Sequence, residues 1–250
     1  MKIRRKLPKP PRSSRPAYVI GYRGEPPSLT DLQCWFNLEY GGPLTFKAGA
    51  EAMNDPVAPV LATHGPWTAT LRRSLPTAEA EVWKDRLGWG HTMIGLVLPA
   101  TGGAADLVLH AARLARGLSL LTEGTAYDPA TQAYWNPSDW RDRPLERFVT
   151  GDHVSVEQAD RFEAGRDRYC TKGLTKFGLD ELETFRPVGL PSQPTLDRLA
   201  DLADEIVRSR PQLKVGASLT FPLLGVTVQI VRHGTRPSPE GPIAHREVSW

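Results

Sequence analysis

The chain has 250 residues, 40% hydrophobic and 24% charged, which is enough apolar material for one large domain or two small ones. A mean hydropathy of −0.35, with no apolar run long enough to cross a bilayer, argues against a transmembrane protein. Two cysteines, Cys34 and Cys170, are too few for a disulfide scaffold or a four-thiolate zinc site.

The positive charge is concentrated at the amino terminus. Residues 1–15 contain seven lysines and arginines, several prolines and no acidic residue, a composition that predicts a disordered basic tail. Because those seven charges exceed the net charge of +3, the rest of the chain is net acidic. We therefore expect weak, non-specific nucleic-acid contact at most, made through this tail.

The composition also suggests where the protein works. No apolar segment follows the basic residues, so the tail does not resemble an export signal, and we expect a cytoplasmic protein without membrane contact. Arginine is far more frequent than lysine, and alanine, glycine and proline are abundant. This bias is typical of GC-rich bacterial genomes, and we expect a bacterial source.

Hydrophobic periodicity predicts the elements of the first half of the chain. A strand over 17–22 precedes a helix that begins after Ser28, and short strands follow within 44–75. A helix over 77–87 comes next, then a strand over 92–98. The clearest amphipathic helix follows, with apolar residues from Leu107 to Leu118 on one face.

The second half begins with a hairpin near 125–135 and an irregular polar stretch over 136–147. A strand over 153–157, a helix over 195–209 and a hairpin of strands 215–221 and 226–231 follow. The pattern predicts an α+β fold, with a mixed or antiparallel sheet and helices packed on one face. We expect one domain over 16–234 and a loose carboxyl-terminal tail over 235–250. A boundary near residue 126, giving two similar β-α-β subdomains, is the alternative.

One pair of residues is a candidate for acid–base chemistry. Asp106 lies one helical turn before His110, at the edge of the apolar face, and could accept a ring N–H. The pair could transfer protons in a small hydrolase or transferase. Alternatively, His110 is a core-edge histidine satisfied by its neighbour. The second interpretation is favoured because no nucleophile or third group is spaced to join the pair.

Metal and cofactor sites are not predicted. The six histidines form no zinc-binding spacing with one another or with the cysteines, and no phosphate-loop or dinucleotide-binding glycine pattern is present. We therefore expect no metal and no cofactor.

Residues 171–183 hold the most distinctive local pattern. Gly173 and Gly178 bracket Lys176 and Phe177, and Lys172 precedes them. This spacing favours a tight turn with positive φ at the glycines and Phe177 in the core, leaving the lysines at the surface. The alternative is an anion-binding loop built from Lys172, Gly173, Lys176 and Gly178.

The same segment carries a resemblance. Residues 171–178 read Thr-Lys-Gly-Leu-Thr-Lys-Phe-Gly and are followed by acidic and apolar residues. In this the chain resembles a family of bacterial proteins of unknown function that share a Thr-x-Gly-(Met or Leu)-x-Lys-Phe-Gly motif. The resemblance covers residues 96–183. It implies no activity and transfers no catalytic residue.

These observations favour a non-catalytic cytoplasmic α+β domain that acts in binding or protein assembly, with a protein or a small anionic ligand as partner. The alternative is a small hydrolase or transferase that uses Asp106 and His110, or the anion-binding loop. No nucleophile, base and orienting group converge in the sequence, which is why the binding interpretation is preferred.

Overall fold

The structure, a computed structural model, describes residues 17–48, 54–90, 93–99, 105–163, 165–239 and 241–250. The predicted tail over 1–15 lies outside the described residues. The helices are α1 (Leu29–Tyr40), α2 (Thr77–Leu87), α3 (Ala105–Thr122), α4 (Pro137–Arg141) and α5 (Gln193–Ser209). None of them, within the described part of the chain, is long and apolar enough to cross a bilayer.

The first half of the chain forms a seven-stranded antiparallel sheet, in the order β2-β3-β4-β5-β1-β6-β7. Its strands are β1 (Tyr18–Tyr22), β2 (Leu44–Lys47), β3 (Val60–His64), β4 (Trp67–Arg72), β5 (Met93–Pro99), β6 (Thr125–Asp128) and β7 (Ala133–Trp135). Helices α1 and α3 bury their apolar residues against one face of this sheet. Helix α2 packs on the opposite face, where Ala80 meets Val19 and Tyr127.

The second half forms a six-stranded mixed sheet, in the order β11-β12-β13-β10-β9-β8, in which β10 and β13 are parallel. Its strands are β8 (Ser155–Glu163), β9 (Arg166–Lys172), β10 (Glu181–Pro187), β11 (Ser218–Phe221), β12 (Val226–Arg236) and β13 (Ile243–Ser249). Helix α5 places Leu199, Leu202 and Ile206 in a core shared with Leu182 and Val248 of the sheet.

The α+β fold is confirmed, but the carboxyl terminus differs from expectation. Residues 235–250 are not a loose tail, because β12 continues to Arg236 and β13 lies between β12 and β10. Val248 is 1% exposed. Strand β13 is held by backbone hydrogen bonds to strands on both sides. The proline-rich, polar segment before it does not predict this long-range pairing.

The chain changes sheets between β7 and β8, later than the boundary near residue 126 considered from the sequence. The two sheets are joined by side chains from both halves. Val108 of α3 belongs to the core of the second sheet, and Phe148 of the connecting segment packs against both cores. The positions of candidate residues in this region are therefore set by contacts with both sheets.

Candidate functional site

Asp106 and His110 are not brought together as a proton-transfer pair. Asp106 is exposed, whereas His110 is 2% exposed, and its Nε2 lies 3.0 Å from the carbonyl oxygen of Ala62 in β3. Burial lowers the pKa of His110 to about 4. His110 is thus a neutral core histidine that joins α3 to the sheet, and the carbonyl of Ala62, rather than the predicted Asp106, is its hydrogen-bond partner.

The lowered pKa of His110 predicts a pH-dependent stability. In the unfolded chain this histidine has an ordinary pKa near 6.5 and binds a proton that it does not bind in the folded chain. Folding stability therefore falls as the pH drops from about 6.5 to about 4. His110 contributes up to ~1.4 kcal/mol per pH unit in this window. We expect the free energy of unfolding, measured with urea at several pH values in that range, to depend less steeply on pH for His110→Leu than for the parent chain. If the variant and the parent chain showed the same pH dependence of unfolding free energy, His110 would not be a buried neutral histidine.

The predicted turn at residues 173–178 is present. Gly173 has φ 118° and Gly178 has φ 72°, and a single 3-10 turn, Leu174–Phe177, separates them. Phe177 is 1% exposed and packs into the second core. The expectation of positive φ at both glycines and a buried phenylalanine is confirmed.

The N–H groups of this turn already hold an internal carboxylate. Glu181, 1% exposed, accepts hydrogen bonds from the backbone N–H of Gly173 at 2.8 Å and of Thr175 at 3.2 Å. The Thr171 hydroxyl donates to its other oxygen at 2.7 Å. Burial raises the pKa of Glu181, and these hydrogen bonds oppose that shift. An external anion at Gly173 would have to displace this side chain.

Lys176 is buried rather than exposed, which corrects the sequence expectation. Its side chain is 6% exposed, and its ammonium forms an ion pair with Asp128, whose side chain is 2% exposed. It also donates to the carbonyl oxygen of His153 at 3.0 Å and lies 5.6 Å from the centre of the Tyr18 ring. Tyr18 and Asp128 belong to the first sheet, so Lys176 links the two sheets. Its charge is therefore paired within the fold.

His153 adds a second buried polar group at this junction. It is 1% exposed, its ring stacks on Phe148 at 5.1 Å, and neither ring nitrogen has a hydrogen-bond partner among the described residues. Burial, reinforced by the charges of Lys176 and Arg143, lowers its pKa to about 3. The contacts described at this junction are thus a buried ion pair and the stacking of the His153 ring on Phe148.

An assembly of charged side chains lies on the six-stranded sheet, on the face opposite α5. We call it the arginine face. Among the described residues it contains five cations and three carboxylates, with one aromatic ring. Its charged and aromatic members are Arg166, Arg168, Lys172, Arg232, Arg236, Glu157, Glu183, Glu247 and Phe185. Of the predicted site residues, Lys172 lies here, paired with Glu157 at 2.8 Å.

The charges of this face are layered. The carboxylate of Glu183 is 3% exposed and accepts from Arg168 at 2.8 Å and from Arg236 at 2.7 Å. These arginines hold the pKa of Glu183 below its usual value, although burial opposes them. Glu247, 13% exposed, pairs with Arg232. Since the side chains of Arg232 and Arg236 are 47% and 36% exposed, their guanidinium groups form an outer layer above Glu183 and Glu247. Glu157, 41% exposed, is an exposed carboxylate of the same face.

A shallow depression of about 210 Å³ opens in the arginine face. Its lining residues are Glu183, Arg232, His233, Gly234, Thr235 and Arg236. Gly234 pairs with His245 of β13, which is 6% exposed and whose pKa burial lowers to about 4. A neutral histidine therefore lies beside the arginines without adding charge above that pH.

Metal binding and similarity to known proteins add no further site. Within the ranges that the structure describes, no group of three or more His, Cys, Asp or Glu side chains could hold a metal ion. A scan against protein-family models, a search of curated proteins and a search of solved structures each found no match. The resemblance stated from residues 171–178 stays a prediction.

The arginine face was missed in the sequence because its members come from separate segments. Arg166 and Arg168 are two residues apart in β9, and Arg232 and Arg236 are four residues apart in β12, so each pair lies on one face of its strand. Arginines at even spacing within each strand are a signal that could have been found. Their convergence required the strand order β12-β13-β10-β9, which no local pattern specifies.

Proposed function

We propose that this chain is a non-catalytic binding domain that holds an anionic partner on the arginine face. The observation that carries the proposal is the layered charge: exposed guanidinium groups of Arg232 and Arg236 lie above the buried carboxylate of Glu183 and the partly buried carboxylate of Glu247. Guanidinium groups match the planar, multidentate geometry of phosphates and carboxylates, and arginine is enriched in binding surfaces.

The candidate catalytic groups favour binding over catalysis. His110 is enclosed by the core and bonded to a backbone carbonyl, and Lys176 is neutralised by Asp128. The turn at Gly173 is occupied by Glu181. Each group is therefore used within the fold, which supports the binding interpretation over a hydrolase or transferase.

An NMR titration of the full chain with inorganic polyphosphate tests the proposal. We expect amide shifts concentrated in β9, β12 and β13, and no shift at Gly173, because Glu181 already satisfies its N–H. The shifts should weaken as salt is added, since counterions compete for exposed arginines. Shifts confined to Gly173 and Gly178 would instead support the anion-binding loop, and an absence of shifts would overturn the proposal.

A charge-matched pair of variants locates the binding. Arg166→Gln with Arg232→Gln removes two cations from the arginine face, and Arg198→Gln with Arg208→Gln removes two from the exposed side of α5, across the sheet. We expect polyphosphate affinity to fall only for the first pair. Equal losses would show that net charge, rather than this face, determines binding.

A further inference from the structure

The arginine face combines cations with an aromatic ring at its centre. The guanidinium groups of Arg166 and Arg232 each lie 5.3 Å from the centre of the Phe185 ring, and that of Arg236 lies 5.9 Å away. Phe185 is partly exposed on β10, a strand in the interior of the sheet. Cations at these distances are attracted to the ring face, so the three arginines and Phe185 form one cluster.

The cluster has a definite span across the sheet. The strand order β12-β13-β10-β9 places Arg232 and Arg166 on strands three spacings apart, with the strand of Phe185 between them. At ~4.8 Å per spacing, the two strands are separated by about 14 Å. The guanidinium groups of Arg166 and Arg232 are closer to each other than this, because each lies 5.3 Å from the centre of the Phe185 ring. Two exposed cations therefore flank a central ring, along a path running across the strands.

This arrangement distinguishes between anionic partners. Inorganic phosphate or an acidic peptide would bind the charges, and the ring would serve only to hold the arginines in place. A duplex keeps its bases inside the helical stack, where Phe185 could not reach their faces. Unstacked bases, in contrast, stack on aromatic rings and on guanidinium planes while their phosphates contact arginine and lysine.

Building on the proposed function, we propose that the anionic partner of the arginine face is a single-stranded nucleic acid. Arg166 and Arg232 contact its phosphates, and its bases stack on Phe185 and on the guanidinium planes around it. Recognition is tolerant of sequence, since every base offers a face for stacking. The basic tail over 1–15 adds a second, purely electrostatic contact, which the experiment must separate from this one.

The test uses the full chain, with the tail unchanged, and a fluorescently labelled oligothymidylate of about 12 nucleotides, within the ~4–16 that one sheet-based single-strand site covers. Phe185→Leu keeps an apolar side chain but removes the ring. We expect this variant to lose at least about fivefold in oligonucleotide affinity by anisotropy, because the stacking contact with the bases is lost. Its affinity for inorganic polyphosphate should fall by less, because only the cation–π contacts that hold the arginines are lost. Phe185→Tyr, which keeps a ring, should bind the oligonucleotide as the parent chain does.

Two further variants complete the design. Arg166→Gln with Arg232→Gln should weaken binding of both the oligonucleotide and polyphosphate, and should lower the salt dependence of oligonucleotide binding. Arg198→Gln with Arg208→Gln, on α5, should change neither. Thermal melts of all variants confirm that each is folded before its affinity is compared.

The outcomes separate this inference from the function on which it rests. If polyphosphate binding depends on Arg166 and Arg232 but oligonucleotide binding is indifferent to Phe185→Leu, the anion-binding face stands and the nucleic-acid partner is overturned. A polyglutamate peptide that binds with the same dependence on Phe185 would also overturn it, in favour of an acidic protein. If neither probe responds to the arginine variants, both proposals fail.

Discussion

Replacing Lys176 by methionine is expected to lower the free energy of unfolding by about 3–5 kcal/mol, the usual cost of removing one partner of a buried ion pair. Methionine retains the length of the side chain but leaves the carboxylate of Asp128, 2% exposed, without its ammonium partner. The carbonyl of His153 also loses a donor. Urea unfolding of the variant and the parent chain at neutral pH measures the difference.

Lys172→Met is the matched control, because it removes the same charge four residues earlier. Lys172 is 27% exposed and pairs with Glu157, which is 41% exposed, so its loss should cost about 1 kcal/mol or less. The double variant Lys176→Met with Asp128→Asn should recover part of the stability, because no uncompensated charge stays buried. Equal costs for the two lysines would mean that Lys176 is exposed in solution.

Gly173→Ala is expected to destabilise the fold by about 4 kcal/mol or more, from two separate causes. A Cβ atom at this position would lie 2.3 Å from the backbone oxygen of His153, so one of the two segments must move. A φ of 118° is, in addition, strained for any residue with a side chain. Movement would weaken the hydrogen bond from the Gly173 N–H to Glu181. Chemical denaturation gives the size of the loss.

Gly178→Ala separates the two causes. Gly178 also has a positive φ, 72°, but no atom lies within 4 Å of a Cβ placed there. The variant should therefore show only the conformational cost, about 1–2 kcal/mol. If both alanine variants lost the same stability, the close approach of His153 to Gly173 would have no energetic consequence, and the turn would be explained by backbone conformation alone.

The motif over residues 171–183 shows how far local sequence reaches. Two glycines around Lys176 and Phe177 were enough to predict the turn, the positive φ values and the buried phenylalanine, since each depends on neighbouring residues. The burial of Lys176 depends on Asp128, which lies 48 residues away. The burial of Glu181 and its hydrogen bonds to the turn could not be predicted from the sequence either, because a carboxylate after a glycine turn is equally compatible with an exposed position.

The sequence by itself determined the elements whose apolar residues repeat at helix or strand spacing. Helix α5, predicted over 195–209 and observed as Gln193–Ser209, is the clearest case, and α1, α2 and β1 were likewise predicted. The tertiary structure alone decided that residues after 234 complete the second sheet, that Lys176 joins the two sheets and that arginines of β9 and β12 form one face. Periodicity indicates which side of a helix or strand is apolar. Strand order and charge pairing depend instead on contacts between distant segments, and the sequence of a single segment does not determine them.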